Sequence, residues 1–209
     1  MRIKLLSAAI LSLIFSASCK NGNEPGNAGE NQLEDLLKIK NEAGLKAKFG
    51  EEHISYDTIW GPEGSFTMGT YIDKGTNDEV EIYWEDSLSR SGIASASVHA
   101  QWKENGDYDY KSKWISASGV KLGMTTDELE KLNGKPFTFS GFGWDYGGGV
   151  MSWKDGKLEK FGVGVTLTDG DERNSTEEEL NEILGDQEVK SDNVVVKKTQ
   201  PRVNAFSVH

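Results

Sequence analysis

Asp107 and Asp109 alternate with Tyr108 and Tyr110 beside the turn Asn105-Gly106-Asp107, and Trp102 and Trp114 flank the stretch. Aromatic faces interleaved with carboxylates suit carbohydrate: rings lie under the C–H face of a sugar, and acids accept from its hydroxyls or, as a close pair, act on the glycosidic bond. The same alternation describes a solvated hairpin tip. Trp102, Tyr108, Tyr110 and Trp114 are therefore the candidate binding surface, with no catalytic role attached. The three histidines, His53, His99 and His209, lack the His-x-x-x-His spacing of a zinc site, so no metal is expected. No serine stands in Gly-x-Ser-x-Gly, and there is no phosphate loop or dinucleotide fingerprint. Residues 169–179 begin like a calcium loop, but the sixth position is Asn174 and the twelfth Leu180, so they read as a turn and a helix start. No cofactor is expected, and the chain is not expected to be an enzyme.

Cys19 is the single cysteine. It follows Arg2 and Lys4, the apolar run Leu5–Phe15 and Ser16-Ala17-Ser18, which is a charged, apolar and small-residue order typical of an export signal. The run is shorter than the ~20 residues a permanent span needs. A lone thiol in an oxidising compartment is a liability, whereas acylation at Cys19 explains both its position and its solitude. The segment resembles bacterial lipoprotein signals, with residues 1–18 removed and Cys19 lipidated. Several acyl chains exceed the two-signal requirement for stable anchoring in a bilayer. Residues 20–31 are rich in Asn, Gly and Glu and read as a flexible tether. Lys20-Asn21-Gly22 lacks the acids of surface-export signals, which favours the periplasmic side of an outer membrane over its surface.

The formal charge is −11, and loss of residues 1–18 leaves 21 basic and 34 acidic residues, a balance of −13. Such a surface repels phosphate backbones, so no nucleic-acid partner is expected.

The elements that must position these residues come from a self-match. A shift of 84 lays Leu45 on Leu129, Gly50 on Gly134, Trp60 on Trp144 and Gly64 on Gly148. Each copy reads as a helix closed by Gly, then a Trp, a glycine turn and alternating strands. The expectation is an α+β domain over 32–209: an antiparallel sheet with short helices on one face, in two tandem copies at about 32–90 and 118–170. Helices are expected at 32–49, broken near Gly44, at 126–132 and at 175–184, the last two opened by capping boxes in Thr125-Thr126-Asp127-Glu128 and at Ser175-x-x-Glu178. Strands are expected at 54–60, 65–72, 78–85, 93–102, 110–117, 137–144, 149–153 and 159–167. The stretch 193–208 reads as an extended edge or irregular strand because of Pro201. The glycines of 134–149 are expected to let a strand cross close to a backbone, with Phe137, Phe139, Phe142, Trp144 and Tyr146 covering the sheet.

The stretch Ser118–Pro136, through Val120, Gly123-Met124-Thr125, Glu128-Leu129 and Gly134-Lys135-Pro136, resembles the helix-opening pattern of the SmpA/OmlA (BamE)-like lipoprotein family. It also resembles the β-lactamase inhibitory protein fold. The resemblance implies tandem helix-plus-antiparallel-sheet units that bind proteins and carry no catalytic residues. The leading expectation is a membrane-anchored, non-enzymatic protein-binding domain of the cell envelope, with an envelope protein as partner. Two alternatives stand beside it: a glycan-binding lipoprotein using exposed aromatics, and an unrecognised hydrolase built on a carboxylate pair or on His99 beside an acid.

Overall fold

The computed structural model describes residues 31–209. Its strands, in chain order, are β1 (Asn31–Gln32), β2 (Ile54–Trp60), β3 (Phe66–Ile72), β4 (Val80–Asp86), β5 (Ser91–His99), β6 (Gln101–Trp102), β7 (Tyr108–Asp109), β8 (Trp114–Ile115), β9 (Thr138–Ser140), β10 (Val150–Ser152), β11 (Gly164–Thr168), β12 (Glu188–Lys190) and β13 (Arg202–Val208). The helices are α1 (Glu42–Phe49), α2 (Thr126–Asn133), α3 (Glu177–Asn181) and α4 (Val194–Thr199). The architecture is the expected α+β, with antiparallel pairing in the main sheets.

Six strands form the main sheet in the order β11-β13-β5-β4-β3-β2. A second sheet, β10-β9-β12, joins it where Gly149 bridges Thr166 and Leu167 N–H donates to Gly148 O at 2.9 Å. Thus α1 is followed by the meander β2-β3-β4-β5, and α2 by β9-β10-β11. The strand β13 then lies between β11 and β5.

Register assigns the faces. Thr70, Ile82, Ala96 and Val208 form one cross-strand row, fully shielded from water. This row belongs to the face packed by Leu45 of α1, Leu129 of α2 and Val195 and Val196 of α4. The adjacent row, Tyr71, Glu81, Ser97 and Ser207, points the other way. One face of the sheet is therefore aliphatic and helix-covered, and the other is hydroxyl-rich.

Several boundaries differ from expectation. The stretch 32–49 is not one helix broken at Gly44: a short 3₁₀ turn at Leu33–Asp35 is separated from α1 by a further turn and non-helical chain. The break falls at Asn41, which bridges Ser91 of β5 and caps α1 by accepting from Gly44 N–H. Residues 193–208 are not an edge segment. Asn193 accepts from Val195 N–H and starts α4, whose Val195 and Val196 are buried, and Pro201 only precedes β13. Beyond it β13 is central, because its N–H groups are all available for pairing. Only Trp114 and Ile115 of 110–117 form a strand, paired parallel with β1 rather than across the Asn-Gly-Asp turn. The helix at 175–184 shortens to Glu177–Asn181; the capping box expected at Thr125/Glu128 forms, whereas the one expected at Ser175/Glu178 falls one residue later, at Thr176/Glu179.

Candidate functional site

The Asn105-Gly106-Asp107 turn closes a short hairpin: Gly106 N–H donates to Lys103 O at 3.0 Å and Lys103 N–H to Asp107 O at 2.9 Å. Two paired residues suffice to set Trp102 opposite Tyr108. Their rings meet edge to face with centroids 4.8 Å apart, and Tyr110 continues the row at 6.1 Å. Trp102 stays 65% exposed. Facing these rings is the loop 168–173, and the two walls enclose an open cleft of about 770 Å³. Burial raises the Tyr110 phenol, so it stays a neutral hydroxyl. Arg202, from β13, donates from Nη1 to Gly123 O at 2.9 Å. Asp171 is drawn down to about 2 by the Arg173 guanidinium, whose Nε donates to Oδ1 at 2.7 Å.

Trp114 does not belong to this surface. It is 3% exposed, its Nε1–H donates to Asp78 O at 3.0 Å, and its ring packs edgewise on Phe49. Asp107 and Asp109 serve the hairpin: Asp107 accepts from Asn105 Nδ2 at 2.9 Å, and Asp109 from Lys111 N–H at 3.1 Å. The Lys111 backbone bond holds Asp109 below the usual carboxylate range, the wrong direction for a proton donor.

On the hydroxyl-rich face His99 does stand beside an acid. Glu81 Oε2 lies 3.1 Å from His99 Nε2 and accepts from Tyr83 Oη at 3.0 Å and Ser97 Oγ at 3.2 Å. Burial pushes the Glu81 carboxyl up, but bonds from His99, Tyr83 and Ser97 outweigh it and leave it below the usual range. Burial and the adjacent Glu81 raise the Tyr83 phenol. Ser97 Oγ contacts the same His99 Nε2, at 3.3 Å. A nucleophile relay needs the serine and the acid on opposite ring nitrogens. Here they share one, so the cluster is a carboxylate gathered by one imidazole and two hydroxyls. A groove of about 400 Å³ runs along it between β4 and β11. His53 pairs instead with Asp73, which also binds Lys113 at 2.9 Å.

A third surface was not singled out by spacing. Trp60 and Phe66 face each other across the β2–β3 turn with ring centroids 5.6 Å apart, exposed by 69% and 67%. Trp144 and Tyr146, in the β9–β10 loop, pair at 5.3 Å and are also exposed. The two loops touch: Glu63 N–H donates to Asp145 Oδ2 at 2.8 Å. The expected covering of the sheet thus holds for Phe137, Phe139 and Phe142, which are buried, and fails for Trp144 and Tyr146. The loop bends away after Phe142, where Trp144 Nε1–H donates back to Gly141 O at 2.8 Å. The available signal was Trp60 itself: alternation in β2 buries Ile59 and turns its neighbour outward.

Among the described residues no group of three or more His, Cys, Asp or Glu is placed to hold a metal ion, and no helix is long and apolar enough to cross a membrane. The signal, Cys19 and most of the tether lie outside the described residues. No protein-family model, no curated protein and no solved structure matches the chain.

Proposed function

We propose that the chain is an envelope lipoprotein, anchored through acylated Cys19, whose α+β domain binds another envelope protein without catalysing a reaction. The observation that carries this reading is the aromatic patch at the apposed turns: Trp60 and Phe66 on one, Trp144 and Tyr146 on the other. Interface cores are depleted of charge and enriched in Trp, Tyr and Phe, and a few such anchors hold most of the binding energy. On a chain with 34 acidic residues, four exposed rings gathered on two touching loops are a departure from the general surface. The resemblance of residues 118–136 to protein-binding lipoprotein and inhibitor domains points the same way.

Crosslinking and affinity capture of the full lipoprotein from its native envelope tests this. One envelope protein is expected in near-equal amount, and the double variant Trp60→Ala, Phe66→Ala should cut its recovery by about tenfold or more, as loss of interface anchors does. Undiminished recovery from the variant would refute the assigned surface. Cys19→Ala should move the protein from the membrane to the soluble fraction; retention in the membrane would refute acyl anchoring.

A further inference from the structure

We infer that the cleft between the β6–β7 hairpin and residues 168–173 is a second, independent binding site, for a neutral oligosaccharide. At about 770 Å³ it lies within the ~300–1,000 Å³ range of small-ligand sites. One wall is the Trp102 indole, most of it open to solvent, held at a set angle by Tyr108, which is backed in turn by Tyr110. An indole fixed this way offers a flat apolar face at little ordering cost. The C–H face of a pyranose ring is the complementary shape.

The polar wall matches the other half of a sugar. Asp169 lines the cleft and accepts from its neighbour Thr168 Oγ1 at 2.8 Å through Oδ1, a bond that does not use Oδ2. Arg202 spends Nη1 on Gly123 O, and its guanidinium fork carries further N–H groups. Hydroxyls donate to the first and accept from the second. The position of Arg202 is set from both sides, since Tyr110 packs directly over Gly123, within 2.8 Å of where a β-carbon would sit there.

Charge selects against other ligands. Four carboxylates and three cationic side chains line the cleft, and Asp171 and Arg173 cancel each other. The balance of −1 gives no purchase to a polyphosphate or to a polycation. The lining is too polar for a hydrocarbon ligand to repay its desolvation. A neutral ligand with alternating apolar and hydroxyl faces is what remains.

The test uses the full chain in a polyoxyethylene or zwitterionic detergent, because sugar-headed detergents would compete. Cellotetraose, maltotetraose and chitotetraose are titrated by calorimetry and by tryptophan fluorescence. At least one should bind and shift the emission. Trp102→Ala should weaken it by about tenfold or more, equivalent to ~1.4 kcal/mol, while Trp60→Ala leaves it unchanged. Near-ultraviolet circular dichroism checks that both variants keep the fold. Absence of binding by all three sugars up to about 10 mM, tenfold above a Kd of ~1 mM, would overturn the proposal. So would equal binding by Trp102→Ala, or loss of binding in Trp60→Ala.

Discussion

Glu81 is mostly shielded from water yet remains ionised, because His99, Tyr83 and Ser97 all direct donors at one oxygen. Its carboxyl sits lower in the folded chain than in the unfolded one. The stabilisation it gives is therefore fully present above the unfolded glutamate range and disappears as pH falls through the lowered folded value. Glu81→Ala should cost about 1–3 kcal/mol at pH 7, since it strands the buried Ser97 hydroxyl and the half-buried Tyr83 phenol. In urea titrations the gap between variant and parent should close as the pH drops below the glutamate range; a gap independent of pH would contradict this account. At the same scale, Trp102, Tyr108 and Tyr110 were legible in the sequence because a two-residue hairpin fixes cross-strand neighbours locally. Trp114 was not, since its burial depends on Phe49 and Asp78, both distant in the chain. The Glu81–His99 pair was equally hidden: it is made by the register of β4 on β5, which no local spacing reveals.

Strand β2 is an edge, and edges invite unwanted pairing. Its middle is blocked from within: Thr58 N–H donates to Asp57 Oδ1 at 2.7 Å, and Thr58 O accepts from Tyr71 Oη at 3.0 Å. The glycine-rich stretch 134–149 performs a different task. Gly148 has φ +77°, and a β-carbon there would come within 2.0 Å of Leu167 O, at the junction of the two sheets. Gly64, with φ +71°, has nothing within 4 Å. Gly148→Ala should thus cost about 3 kcal/mol or more, adding backbone collision to left-handed strain, and Gly64→Ala only about 1–2 kcal/mol. Thermal or urea unfolding of both variants measures the difference; equal costs would mean that the two sheets do not meet at Gly148. Most strands of the main sheet and the Thr125/Glu128 box could be read from alternation and from Thr-x-x-Glu because those signals are local, while the run Ser175-Thr176-Glu177-Glu178-Glu179 offers two overlapping boxes and packing selects the later. Helix α4 could not, since three consecutive valines favour a strand until Asn193 caps them and the core receives Val195 and Val196.

At the scale of the whole molecule, the two meanders are held together by β13, paired to β5 on one side and β11 on the other. Phe206, 1% exposed, lies in this strand opposite both Val98 and Val165. Phe206→Ala should cost about 3–5 kcal/mol and should lower hydrogen-exchange protection in β4 and in β11 together. Loss confined to one meander would show that the halves are stable separately. The α+β class was readable from the succession of helix and hairpin signals, whereas the central place of β13 was not: Pro201 argued for an edge, and only the partners waiting at β5 and β11 decide otherwise.

Residues 202–208 follow every other described strand, so a ribosome delivers them after both of their neighbours. Until they arrive, two rows of backbone amides have no mate and the domain cannot lock. Under the export proposed above, this order acts as a built-in timer, keeping the main sheet open until its central strand has passed the translocation pore.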